Sequence, residues 1–413
     1  MKKDELLEMI THQYLRSKEF NGKDLSGFES KKDHIIALVR EGKIEINFGD
    51  RHPNRHIKAF ELDNKDSQIA KIKNIGLEYA CAYPTKEHLK SVVDINEFRD
   101  RPFTQKIALG EPVLNYAIFD LSVLESYRND PRYFYSTDDI GGWISISDEY
   151  YHSLEMKPSD KILLHSFGFC YEKDTMNRAV AVYYCYLADL TPEHQQIWNS
   201  KTLRGDYLLH PDYARSSAGY FYEKESIFVA FIEELHTINE FSKLMNRPSL
   251  FHESYKKNRP REFSFLIRPT HKEFNSFAHL LDKMISENIN KNFFQDEIPD
   301  QTERKRSDGK VIVQNKGTIT LLKEWLDTKA YTPDPKPKDG MIQTFKRIRK
   351  MRMKPAHKVD ENRFEQEYFK KQRRLMIEAY TAVRTLRLIL ANHPRTKTYE
   401  VPEWLYKGEI WNF

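Results

Sequence analysis

The residues of this chain best suited to chemistry are Arg352 and His357, with four residues between them in the run Lys346-Arg347-Ile348-Arg349-Lys350-Met351-Arg352-Met353-Lys354-Pro355-Ala356-His357. A guanidinium holds a phosphate with a planar fork of N–H donors, and an imidazole moves a proton near neutral pH. Cleavage of a phosphodiester by its own 2′-hydroxyl needs a base, an acid and charge stabilisation on the equatorial oxygens. An Arg and a His in a cationic neighbourhood are the minimum set for that reaction without a metal. The same spacing recurs at Arg51/His56 and Arg247/His252, so spacing alone selects nothing. Context does: only Arg352/His357 is flanked by Lys346, Arg347, Arg349, Lys350 and Lys354.

The elements that must position this pair lie in the last third of the chain. After Pro269 the pattern turns helical. Phe274, Phe277, Ala278, Leu280, Leu281, Met284 and Ile285 mark one amphipathic helix, and Leu321, Leu322, Trp325 and Leu326 mark a second, over Thr318–Lys329. Gln295–Lys310 reads as an exposed polar loop, and the prolines of Thr332–Lys338 read as a stiff connector. A third helix is expected from Met341, carrying the basic run. A fourth spans Glu361–Ala391, with an apolar stripe at Phe364, Tyr368, Leu375, Ala379, Val383, Leu386 and Leu390, and His393-Pro394 stops it. Four such helices suggest a bundle. Pro355 lies between Arg352 and His357. Residues five apart on a regular helix point about 140° from each other; a kink at that proline closes the angle, whereas a helix that ends there separates the pair.

Charge follows the same division. The chain of 413 residues has a net charge of +5. Residues 301–413 hold 26 Lys and Arg against 14 Asp and Glu, a net of +12, and the first 300 carry −7. A basic region joined to a mildly acidic one points to an anionic polymer bound at one end. Arg373, Arg374 and Arg384, with Arg387, extend the cationic set along the fourth helix as candidates for tracking a nucleic-acid backbone.

Residues 1–265 read as mixed α/β. A helix opens the chain, Lys43–Phe48 alternates like a strand, Lys161–Tyr171 and Ala179–Leu187 form a hairpin, and Ser226–Met245 is an apolar helix. Asp50-Arg51-His52-Pro53-Asn54-Arg55-His56 gathers metal-capable side chains, but Pro53 blocks the helical spacing that would align them, so a polar loop is expected there. Asp138-Asp139 could present a carboxylate pair, and Gly141-Gly142 reads as a turn before a strand. Cys81, Cys170 and Cys185 form no CxxC pair, which fits reduced thiols in a cytoplasmic protein. No P-loop, dinucleotide fingerprint or Gly-x-Ser-x-Gly elbow is present, so ATP hydrolysis, nicotinamide chemistry and serine hydrolysis lack support. No cofactor, no metal and no membrane partner are expected.

The basic motif on the third of four helices resembles the HEPN superfamily of metal-independent ribonucleases and toxins, whose helical domains carry an Arg-x4–6-His motif. The resemblance covers about residues 270–413. It implies that Arg352 binds phosphate and stabilises the transition state, that His357 transfers a proton, and that two copies pair so that both motifs face one RNA cleft. The expected architecture is α+β: an α/β sensing or regulatory region over 1–265, then a HEPN-like helical domain over 266–413. The expected function is endoribonucleolytic, as a toxin or antiviral effector acting on RNA as a homodimer or higher homo-oligomer, with a protein partner or trigger at the N-terminal region. The alternative is a non-catalytic nucleic-acid-binding subunit of a larger complex.

Overall fold

The computed structural model describes the whole chain except residues 50–62, 217–218, 306–310, 331–332, 354–360 and 413. Helices combine with several mainly antiparallel sheets, so the fold is a mixed α+β. Two compact units divide it: residues 1–135 with 141–210, and residues 136–140 with 211–413.

The first unit opens with α1 (Lys3–Arg16) and β1 (Lys23–Asp24), followed by α2 (Lys32–Arg40), β2 (Ile44–Phe48) and β3 (Ala80–Pro84). Strand β3 is central, antiparallel to both β1 and β2. Leu6 and Ile10 of α1 and Ile35, Leu38 and Val39 of α2 bury against Ile44, Ile46, Ala80 and Ala82. Each of the Leu, Ile and Val side chains contributes about 1.5–3 kcal/mol on leaving water.

A larger sheet follows, from β4 (Tyr116–Phe119), β5 (Tyr133–Thr137), β6 (Gly141–Ile146), β7 (Leu163–Glu172), β8 (Arg178–Tyr183) and β9 (Tyr207–Leu209). Its order is β4-β8-β7-β6-β5, and β9 pairs with β7. Strands β7 and β8 form the expected hairpin. Strand β8 ends at Tyr183, however, and Tyr184–Ala188 turns into a short helix, so the apolar run to Leu187 is not all strand. Gly141 and Gly142 do not make the turn: they pair with Gly168 and Phe167 inside the sheet. The chain bends just before them, where Asp139 has a φ of 72°.

The second unit is mainly helical. Its members are α3 (Ile227–Leu244), α4 (His271–Ile285), α5 (Thr318–Lys329), α6 (Lys336–Met353) and α7 (Glu367–Ala391). The long α7 packs on α3 and α6, and α6 also packs on α4 and α5. This explains why the compact division falls near residue 210 rather than at 265: α3 buries its apolar face against α7, and Glu234 of α3 pairs with Arg387 of α7. Strand β10 (Glu225–Ser226), just before α3, pairs in parallel with β13 (Ile410–Trp411) near the end of the chain.

Three local expectations differ from the structure. Helix α6 starts at Lys336, not Met341: Pro337 sits in its first turn, where a missing N–H costs nothing, and Asp334 Oδ1 accepts from the Lys336 N–H at 3.0 Å. The polar stretch before Lys310 holds β11 (Gln301–Lys305), which pairs antiparallel with β12 (Val311–Asn315) because the β-branched residues downstream supply a partner strand. Helix α7 starts at Glu367. Residues before it run extended along the start of α4, with Arg363 O accepting from the His271 N–H at 2.9 Å, so Phe364 is exposed rather than part of the stripe. No helix among the described residues is long and apolar enough to cross a membrane.

Candidate active site

Helix α6 buries Met341, Ile342, Phe345 and Ile348. One turn beyond Ile348, on the same stripe, stands Arg352. It therefore projects toward α4, as an apolar residue there would, and its charge has to be met. Asp282 of α4 meets it: Arg352 Nη1 donates to Asp282 Oδ2 at 3.1 Å, and the same Nη1 also pairs with Glu287. Asp282 is fully buried, Glu287 is exposed, and the Arg352 side chain keeps 31% of its surface open.

Both carboxylates engage a single nitrogen. Nε and Nη2, which form the bidentate edge of a guanidinium, bond to no group among the described residues. The clamp fixes the plane of the group while leaving a two-donor edge for an anion. A second polar feature lies below it. Asp282 Oδ1 and Ser286 Oγ, one helical turn apart and both buried, have no hydrogen-bond partner among the described residues.

His357, Lys354 and Pro355 lie outside the described residues, so the bend expected at Pro355 is not part of this geometry. The other cationic candidates separate into engaged and open groups. Lys346 and Lys350 are exposed on α6. Arg347 pairs with Glu378 of α7, and Arg349 Nη1 lies 3.5 Å from Thr318 Oγ1. Arg374 is exposed, and Arg373 Nε donates to the Asn412 carbonyl at 2.9 Å. Arg384 is half-buried beside Tyr380, whose hydroxyl burial pushes up to about 12. Arg387 does not belong to the surface: it is 3% exposed and bound to the buried Glu234. The stripe position that buries it faces α3, and a buried guanidinium needs a carboxylate.

Other sequence candidates are accounted for differently. Arg247 pairs with Glu297, donates to the Phe293 carbonyl at 2.7 Å and stacks near Trp325, while the His252 N–H donates to Asn288 O at 2.8 Å. They form no acid–base pair. Arg51, His52 and His56 lie outside the described residues. Asp139 is buried and accepts from Ser226 Oγ at 3.1 Å, Ser264 Oγ at 2.5 Å and Arg259 Nη2 at 2.5 Å, which makes it a structural hub rather than half of a carboxylate pair. Among the described residues no cluster of His, Cys, Asp and Glu could hold a metal ion, and none of the three cysteines is in a disulfide.

One residue escaped the sequence reading. His279, half-buried on α4, lies one turn before Asp282 and Lys283. Burial, then the charges of Arg352 and Lys283, hold its pKa below the ordinary value, against an opposing pull from Asp282. His271, Asn275 and His279 recur every four residues beside the apolar stripe of α4, and that polar periodicity was the available signal. Compared with protein-family models, curated proteins and solved structures, the chain matches none.

Proposed function

We propose that the protein is a metal-independent endoribonuclease of HEPN type, with Arg352 as its phosphate-binding and transition-state-stabilising residue and His357 as a proton-transfer residue. A toxin or antiviral effector role, with two copies sharing one RNA cleft, belongs to the same reading. One observation carries it: the Arg352 guanidinium is clamped through Nη1 alone, and its Nε–Nη2 edge is left for an anion at the end of a basic helix. A phosphate bridging that edge would receive two charge-assisted hydrogen bonds. Lys346 and Lys350, exposed on the same helix, supply nonspecific attraction to the RNA backbone. The pattern of helices around α6 and α7 is compatible with the bundle that the motif requires.

The second reading, a non-catalytic nucleic-acid-binding subunit, draws on the same clamp. Two carboxylates next to Arg352 also make it a structural tie between α4 and α6. Purified protein incubated with total RNA and excess chelator separates the two. Fragments ending in 2′,3′-cyclic phosphate support the nuclease, and tight binding without fragments supports the subunit.

A further inference from the structure

The chain doubles back on α7 after that helix ends. Leu405, fully buried in the short helix Glu403–Lys407, anchors the returning segment, and Gly408 turns it through a left-handed φ of 74°. From there β13 runs beside β10, with Ile410 opposite Glu225 and Trp411 opposite Ser226, and the Glu225 N–H donates to Glu409 O at 3.1 Å. Trp411 fixes the far end. Its Nε1–H donates to Asp212 Oδ2 at 2.7 Å, and Lys224 Nζ stands 4.7 Å from the ring centre. Every residue from Gly408 to Asn412 keeps part of its surface open, so hydrogen bonds and one ring hold the segment rather than core packing.

Two arginines of α7 lie against this segment. Arg373 Nε donates to Asn412 O at 2.9 Å, and a Cβ on Gly408 would sit 3.6 Å from Arg384 Nη1. Arg373 and Arg384 are three helical turns apart, so they share one face of α7 and stand about 16 Å apart along its axis. Four extended residues from Gly408 to Asn412 reach about 13–14 Å, and the arginine side chains span the difference. The segment therefore runs antiparallel to α7 along its cationic face. Nε belongs to the edge with which a guanidinium grips a phosphate, so Asn412 O and a phosphate oxygen compete for one donor on Arg373.

We propose that residues 408–412 are an autoinhibitory strap over the cationic face of α7, which an RNA backbone displaces to reach Arg373 and Arg384. The proposal rests on the RNA-binding reading above. The closed strap lowers the apparent affinity by the fraction of molecules in which it is open. Release moves only the strap: Leu405 stays in the core, and the Arg352 site on α6 is unaltered.

The test titrates the full chain into a labelled 2′-O-methyl RNA oligonucleotide, read by fluorescence anisotropy. A lock is made with Glu225→Cys and Ile410→Cys, which are directly paired on neighbouring strands and so within disulfide reach. Oxidation should weaken binding at least about tenfold relative to the reduced form of the same protein, and reduction should restore it. The parent under the same oxidant controls for Cys81, Cys170 and Cys185. Trp411→Ala should tighten binding about 3–10-fold, and adding Arg373→Ala to it should remove that gain. If oxidised and reduced locks bind alike while the parent binds RNA, the strap is overturned and the RNA reading stands. A gain in Trp411→Ala that survives Arg373→Ala would also overturn it, because the gain would not pass through the covered arginine. If the parent, the reduced lock and Trp411→Ala all fail to bind RNA, the RNA reading falls and the strap with it.

Discussion

Arg352 on one helix and Asp282 on another meet at 3.1 Å, and the carboxylate is fully buried while the guanidinium is only partly so. This pairing ties the end of α6 to α4 and sets the direction in which the remaining guanidinium donors point. Glu287 completes the clamp from the exposed side. The two acids should therefore behave differently when neutralised. Asp282→Ala removes a buried partner and leaves a half-open arginine, with an expected loss of about 1–3 kcal/mol in urea unfolding. Glu287→Gln should cost under about 1 kcal/mol and tighten RNA binding a few-fold, since an anion next to a phosphate site is repulsive. Weaker RNA binding by Glu287→Gln would show that the clamp, and not the open edge, governs affinity.

The buried pair Glu234–Arg387 joins α3 to α7 and takes no part in the proposed chemistry. Arg387→Ala strands a carboxylate in the core, so about 3–5 kcal/mol of stability should be lost. The remaining folded protein should bind RNA with unaltered affinity. A chemical-denaturation curve and an anisotropy titration on the same sample check both halves. Weakened binding at constant stability would put Arg387 back on the interaction surface.

Lys346 and Lys350 are exposed, whereas Arg347 is occupied by Glu378. Replacing both lysines with Ala should reduce the slope of log Kd against log salt by roughly 1.5–2, since each neutralised phosphate releases counterions. Arg347→Ala should change that slope by less than either lysine. Titrations of a 2′-O-methyl RNA over a range of salt concentrations give the slopes directly. Equal effects from all three positions would mean that the Arg347–Glu378 pair opens on binding.

Acid should destabilise the first unit. His194 is buried with Nδ1 at 2.7 Å from the Tyr127 hydroxyl, and burial holds its pKa below the ordinary value. His88 is lowered in the same way, first by burial and then by Lys43. The unfolded chain therefore binds protons more readily than the folded one at these sites. Their contribution is present in full above about pH 6.5 and is lost as pH falls below it toward the folded values. His194→Gln should flatten the dependence of the urea midpoint between pH 7.5 and 5.0. An unchanged slope would assign the acid sensitivity to other groups.

Much of the fold was legible in the sequence because long helices declare themselves by their apolar period. The bounds of α5 and the buried stripe of α7 from Tyr368 to Leu390 follow from spacing alone. Short-range competition hid the rest. Pro337 reads as a breaker unless the first turn of a helix happens to begin beside it, and β11 is too polar to signal a strand without β12. At the site, the cationic run on α6 was visible, but its carboxylate partners were not. Asp282 sits among Leu281, Met284 and Ile285, and nothing in a linear sequence says which charge 70 residues away will neutralise it.

The central claim is that Arg352 acts on RNA phosphate in a reaction that uses no metal. The most direct measurement is cleavage of a defined RNA by the purified full chain in excess chelator, with end-group analysis, for the parent and for Arg352→Ala. The parent should yield 2′,3′-cyclic phosphate and 5′-hydroxyl ends, and the variant should lose at least about 10²-fold in kcat/KM. Cleavage that requires a divalent cation, or an Arg352→Ala protein that is folded and cuts at the parental rate, would contradict it.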